Sequence, residues 1–252
     1  MRSKGRREEA VVATKCGLQV ESIEPMKISR DGRPEHVREA IDGSLRRLGT
    51  DRVDLYYLHR VDPDVPVEET WGAMAETVAQ GKAGAIGMSE ATVEELDKAN
   101  AIHPVAALQS ELSLWERGPL ENGVLQWCRD HEAAFVPYSP LGRGFLTGAV
   151  TGESITEGDI RSTNPRFTEE AMEANFAIVD RVREVAERHG ATPGQVALAW
   201  CLAQYERVVP IPGTRRVERL EENAGAARLE LTDDDLADLD SLPAPAGGRF
   251  TV

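Results

Sequence analysis

Residues 33–60 read RPEHVREAIDGSLRRLGTDRVDLYYLHR. The spacing predicts a helix from Arg33-Pro34-Glu35 to Leu48, because Val37, Ile41, Leu45 and Leu48 recur at the interval that lines one helical face. Proline near the start and Gly49 just past the end suit those places: proline's missing N–H is not needed in a first turn, and glycine takes left-handed backbone freely. Val53–Leu58 (VDLYYL) then reads as a strand ended by His59 and Arg60. A helix that leads straight into a β-rich run implies a crossover to a parallel strand, the repeating unit of α/β folds.

Working outward, the alternation recurs. Upstream, Ala10–Thr14 (AVVAT) is a strand ended by Lys15, Cys16 and Gly17, with a polar loop before the helix. Downstream come a helix over Val67–Ala79, a strand over Ala85–Met88 ending at Ser89, and a helix over Thr92–Ala101 opened by a Thr92/Glu95 capping box. Then follow a strand over Val105–Leu108 ending at Gln109, a helix over about Glu121–Asp130, and a strand over Ala133–Val136 that runs into Pro137-Tyr138-Ser139-Pro140. The Gly- and Thr-rich stretch Leu141–Phe167 reads as a surface excursion or lid. Helices over Glu169–His189 and Thr192–Gln204 lead to a sixth strand, Val208–Ile211, and the chain ends with helices over Val217–Ala227 and Thr232–Leu242. Six such units without a break in composition favour one (β/α)8 TIM barrel domain over residues 1–252. The reading is incomplete, since a closed barrel of this class has eight strands.

Composition narrows the function classes. The chain has 252 residues, 41% of them hydrophobic, with 43 acidic against 29 basic side chains and a net charge of -14. That length can bury a full core without staples. Cys16, Cys128 and Cys201 lie far apart with no C-x-x-C pair, which argues against a disulfide scaffold or zinc ribbon. No apolar run approaches the ~20 residues of a membrane span, and the charged N-terminus is not of signal-peptide type, so no membrane partner and a cytoplasmic location are expected. The acidic balance repels phosphate backbones, and no nucleic-acid partner is expected. His59, Asp62 and Asp64 suggest a metal less well than a proline-rich loop with solvated carboxylates; no metal site is expected.

In a parallel barrel the chemistry sits at the C-terminal strand ends. Here these carry Lys15, His59, Ser89, Gln109, Tyr138-Ser139 and Gly213-Thr214. A lysine in a low-dielectric mouth has a lowered pKa and polarises a neighbouring hydroxyl; the alternative for Lys15 is a strand-end lysine in solvent. His59 is placed to donate to a carbonyl oxygen, or else is a structural histidine bonded to backbone. PIPGTRRVERLEEN (Pro210–Asn223) puts Arg215, Arg216 and Arg219 at a helix start, a ready anion site; the alternative is a solvated face of Arg–Glu pairs. Tyr138–Gly144 (YSPLGRG) adds an aromatic plate and a glycine-rich turn that a pyrophosphate can approach. Gly87–Ala91 imitates a nucleophile elbow but lacks its last glycine and a suitable Asp/His pair.

Taken together, VVATKCG (Val11–Gly17), SLRRLGTDRVDLYYLHR (Ser44–Arg60), GKAGAIGMSEAT (Gly81–Thr92), ALQSELSLWER (Ala107–Arg117), VPYSPLGRGFLTG (Val136–Gly148) and VPIPGTRRVERLEEN (Val209–Asn223) resemble the aldo-keto reductase family. Asn164–Phe167 (NPRF), Ser89–Ala91 and the GTRR stretch are similar to its perakine-reductase-like and pyridoxal-reductase-like branch. The resemblance implies a (β/α)8 barrel that binds NADPH and reduces an aldehyde or ketone, a small carbonyl substrate, to an alcohol. It implies catalytic roles for Lys15 and His59, a carboxamide contact for Ser89 and Gln109, and nicotinamide stacking for Tyr138. It also implies a pyrophosphate loop of Ser139, Leu141, Arg143 and Gly144, and a 2′-phosphate and adenine site of Gly213, Thr214, Arg215, Arg219, Glu222 and Asn223. Glu90 departs from the pattern, because many members have Asn beside that serine. So does the N-terminus: the family's catalytic Asp and Tyr have no counterpart here, and none of Tyr56, Tyr57, Tyr138 or Tyr205 has a matching context. The expectation is therefore an N-terminally truncated barrel, holding strands three to eight, with impaired reduction. The alternatives are a non-catalytic NADP(H)-binding or interaction protein and, more remotely, a Schiff-base enzyme working through Lys15.

Overall fold

In the computed structural model, which describes residues 6–23, 26–151, 154–156 and 158–249, the first strand starts later than its sequence suggests. β1 is Ala13–Cys16, so Lys15 lies inside it rather than after it. Val11 is 81% exposed, and the Val12 N–H donates to the Asp54 carboxylate at 2.7 Å instead of joining a ladder. The ladder proper joins Ala13–Cys16 in parallel to Leu55–Leu58. The expected polar loop is a hairpin, β2 (Leu18–Ile23) with β3 (Met26–Arg30), antiparallel and bulged between Val20 and Ser22. Its apolar residues alternate with polar ones, but Val20 and Ile23 point to solvent, so no core signal marks it.

The chain forms two compact units, Met1–Ser110 with Gly123–Phe135 and Glu111–Asn122 with Val136–Val252. In the first, α1 (Pro34–Leu48) ends on Gly49 in the left-handed region at φ 65° as the pattern requires. β4 (Val53–Leu58), α2 (Val67–Ala79), β5 (Ala83–Ser89) and α3 (Val93–Asn100) follow, with the Thr92/Glu95 capping box in place. β6 (Ala107–Glu111) and, after the short helix α4 (Gly118–Glu121) of the second unit and α5 (Val124–Asp130) of the first, β7 (Ala134–Tyr138) complete a sheet of order β1-β4-β5-β6-β7. The helix expected over Glu121–Asp130 is thus two, broken where Gly123 takes φ 87°. The later halves of β4 (Tyr56–Leu58) and β5 (Ile86–Ser89) are buried on both faces, as internal parallel strands are. Val37 and Ile41 of α1, Trp71 and Met74 of α2 and Leu96 of α3 are fully buried with Tyr56, Ile86 and Met88 of these strands. That burial is the main source of this unit's stability.

The second unit is built on α6 (Glu169–His189), α7 (Pro193–Ala203), α8 (Val217–Gly225) and α9 (Asp233–Asp240). Three of these start on a threonine whose hydroxyl accepts a backbone N–H, at Thr168, Thr192 and Thr232. No sixth strand forms at Val208–Ile211: only Val208 makes a bridge. Pro210 and Pro212 have no N–H to give, and the segment's tie is Ile211 N–H to the Pro137 carbonyl at 3.0 Å. The stretch over 141–167, read as a surface excursion, is anchored at both ends: Phe145 stacks on Trp115 at 4.3 Å and Phe167 meets it edge-on at 5.1 Å. Residues 152, 153 and 157 of that stretch lie outside the described residues.

Candidate functional site

The first unit gathers Lys15, Tyr57, His59, Arg60, Ser89 and Gln109. Register pairs Lys15 of β1 with Tyr57 of β4, and the lysine ammonium lies 5.8 Å from the centre of the Tyr57 ring. His59 follows β4, and its N–H extends the ladder to the Cys16 carbonyl at 2.8 Å. Burial, and then the Arg60 guanidinium, lowers the Lys15 pKa. The same two causes, with Lys15 third, bring His59 down to about 4, so its imidazole is neutral at pH 7 and offers an N–H donor. Arg60 is the residue that sequence reading left without a role. Its Nη1 donates to the His59 carbonyl at 2.6 Å and to the Ser89 hydroxyl at 3.2 Å. Ser89, at the end of β5, is 1% exposed, and Gln109 of β6 shares a hydrogen bond with the Tyr57 phenol, whose pKa is raised by burial. Between them Glu90 adopts φ 56°, a left-handed backbone that few non-glycine residues other than Asn and Asp take, and donates its N–H to the Gln109 carbonyl at 2.9 Å. Asp62, weighed above as a metal ligand, accepts from the Gly32 N–H at 2.8 Å and the Asp64 N–H at 3.0 Å, which accounts for a buried carboxylate in that loop.

The second unit carries a cleft of about 560 Å³. Its wall takes Tyr138, Ser139, Leu141, Arg143 and Gly144 from the turn after β7, and Gly213, Thr214, Arg219, Glu222 and Asn223 from the start of α8. Two sequence motifs some 70 residues apart are thus one surface. Arg215 is not on the wall; its neighbour Arg216 is. The glycine-rich turn needs its glycines. Gly142 has φ 56° and a Cβ there would fall 2.8 Å from Trp115; Gly144 has φ 95°. Arg143 between them is also left-handed at φ 53°, and its Nη1 is held by Glu111 Oε1 at 2.8 Å.

The cleft's own features fit a phosphorylated dinucleotide. A Cβ on Gly213 would meet nothing within 4 Å, and its φ lies outside the left-handed region, so neither packing nor backbone demands a glycine there, while a closely approaching ligand would. α8 is the long helix of this unit that starts without a side-chain cap, on Arg216, and its first N–H groups and dipole favour an anion. Arg216 adds an exposed guanidinium with no ion-pair partner among the described residues. Arg219 pairs with Glu222, which also accepts from the Thr192 hydroxyl at 2.8 Å; the solvated Arg–Glu alternative is therefore partly realised. An aromatic plate, hydroxyls at Ser139 and Thr214, and guanidiniums at Arg143, Arg216 and Arg219 complete a donor set for phosphate oxygens.

Comparison with known proteins yields concordant matches. The model described as "Aldo/keto reductase family" matches residues 1–244. A probable aldo-keto reductase 1 from Glycine max is 42% identical over 247 residues, 97% of this chain and 70% of that protein. An NADP(+) aldo-keto reductase, yakc, from Schizosaccharomyces pombe is 42% identical over 232 residues, covering 91% and 68%. Among solved structures, a glycerol dehydrogenase from Gluconobacter oxydans superposes with TM-score 0.88 at 29% identity over 100% of this chain and 79% of that one. A thermostable aldo-keto reductase crystallised with the inhibitor epalrestat gives TM-score 0.74 at 31% identity, over 95% and 73%.

Proposed function

The chain belongs to the aldo/keto reductase family, oxidoreductases of the (β/α)8 barrel class, and from that premise we propose that it binds NADPH and is a carbonyl reductase with weak turnover. The carrying observation is the second unit's cleft, where an uncapped helix start, an open Gly213 and the Arg216 and Arg219 guanidiniums share one wall with Tyr138. Arg216 and Arg219 take the 2′-phosphate, Ser139, Arg143 and Gly144 the pyrophosphate, and Tyr138 stacks on the nicotinamide. In the first unit Ser89 and Gln109 are the amide-binding pair, and Lys15 and His59 serve the carbonyl. When bound, the nicotinamide supplies the hydride. His59, neutral at pH 7, donates its N–H to the carbonyl oxygen, where a charged imidazolium would carry a desolvation cost. Residues 1–252 are read as one functional domain and the substrate as a small aldehyde or ketone.

Weak turnover follows from the proton donor. The tyrosine beside Lys15 is Tyr57, which is 2% exposed and whose pKa is raised by burial, an effect that Gln109 offsets only in part, so it is a poor general acid. NADPH titration followed by single-turnover reduction of a small aldehyde tests both parts. Tight binding with slow conversion is expected; conversion as fast as that of other family members overturns the weak-turnover reading, and the absence of NADPH binding overturns the whole. Conversion that is undetectable beside tight binding favours the alternative of a non-catalytic NADP(H)-binding protein.

A further inference from the structure

Glu111 and Arg249 have no role in the reading above, yet each is bonded to a residue that has one. Glu111 closes β6 with its side chain 3% exposed, and its two oxygens are divided: Oε1 accepts from Arg143 Nη1 at 2.8 Å and Oε2 from Arg249 Nε at 3.2 Å. Arg249 Nη2 then donates to the Tyr138 phenol oxygen at 3.1 Å. Arg249 comes from the C-terminal segment, and that segment is seated. Asn175 exchanges two hydrogen bonds with Ala246, at 3.1 and 2.8 Å, and Gly247 passes so close to Arg166 that a Cβ would lie 2.8 Å from its Cα.

A buried carboxylate shared by two guanidiniums offsets much of their mutual repulsion, and it would itself be left uncompensated without them. The planar fork of arginine can hold Glu111 and Tyr138 at once, whereas one ammonium on a flexible stem holds its partners less firmly. We propose that Arg249 is the positioning residue of Tyr138: anchored on Glu111, it ties down the phenol oxygen and so sets the ring face offered to the nicotinamide. The inference rests on the nucleotide reading of the cleft. Arg249 contacts Tyr138 directly and Arg143 only through Glu111, so a loss confined to the nicotinamide end separates its role from the phosphate contacts.

Calorimetric titration of the full chain with NADPH and with adenosine 2′,5′-bisphosphate tests it, using Arg249→Met, Arg249→Lys, Tyr138→Phe and the Arg249→Met/Tyr138→Phe double variant. Loss of one hydrogen bond at the ring predicts NADPH binding ~5–10-fold weaker in Arg249→Met and in Tyr138→Phe, with the bisphosphate unchanged within about twofold. Arg249→Lys should fall between, and the double variant should be no weaker than the weaker single one, because both remove the same bond. NADPH affinity unchanged in Arg249→Met, equal losses for both ligands, or additive losses in the double variant each overturn the inference while leaving the nucleotide reading intact. If the unsubstituted chain binds neither ligand, the nucleotide reading fails and takes the inference with it.

Discussion

Arg215 and Arg216 are sequence neighbours of identical charge and similar exposure, and they differ in one respect: Arg216 lines the cleft and Arg215 does not. Replacing each with methionine isolates that difference, because methionine keeps the apolar stem. Arg216 starts α8, and its own N–H donates to the Thr214 hydroxyl at 3.2 Å, so its backbone is tied to the cleft wall while the guanidinium is free to turn. An exposed unit charge ~4 Å from another is worth about 1 kcal/mol in water and ~4 at an intermediate dielectric. A phosphate monoester carries about -1.5 to -2 charges at pH 7, and for a solvent-facing site the lower limit governs, so ~1.5–2 kcal/mol is at stake. That corresponds to roughly 10–30-fold in affinity. Fluorescence titration with NADPH and NADH reads it directly. Arg216→Met should weaken NADPH by that factor and leave NADH unchanged, Arg215→Met should stay within about threefold for both, and the preference for NADPH should shrink with added salt. Equal losses in the two variants, or equal losses for the two cofactors, would refute the placement of the 2′-phosphate at the start of α8.

Further outcomes follow from single atoms. Gly213→Val should abolish NADPH binding with little change in thermal midpoint, since its Cβ meets only open cleft, whereas Gly142→Ala should cost ~1–3 kcal/mol of stability and lower the midpoint, through its φ of 56° and the Trp115 clash. Glu90→Asn should raise stability by ~0.5–1 kcal/mol in urea unfolding, because Asn takes φ 56° at lower cost. His59 has a folded pKa near 4, below its ordinary 6.5, so the unfolded chain binds more protons between those values. Its contribution is therefore fully present above pH 6.5 and is lost as pH falls to 4; His59→Gln should flatten the pH dependence of the urea midpoint in that window.

Much of the fold was readable because helices declare themselves locally. α1, α2, α3, α6, α7 and α9 fall where periodicity and end residues put them, within a few residues. The misses have specific causes. The β2–β3 hairpin exposes Val20, Ile23 and Ile28, which deprives it of a periodic buried face, and the segment over 208–211 has strand-like composition but Pro210 within it and Pro212 just after it, which withhold ladder donors. In the site, motif reading put Arg215, Arg216 and Arg219 together at a helix start without saying which faces the cleft, and it assigned no role to Arg60, Glu111 or Arg249. Arg60 and Glu111 lie inside the family-like stretches, but their partners do not follow from those stretches, and Arg249 lies outside all of them: it meets Glu111 across 138 residues of chain.

The sequence by itself determined the alternation of strands and helices, the family, and the residue types available at the strand ends, because these rest on interactions within one turn or one strand. Which of two adjacent arginines faces the cleft, which tyrosine lies against Lys15, and which carboxylate gathers Arg143 and Arg249 were decided only by the tertiary structure. Those choices depend on side-chain direction and on burial, which sums contributions from segments far apart in the chain, and no local pattern encodes that sum.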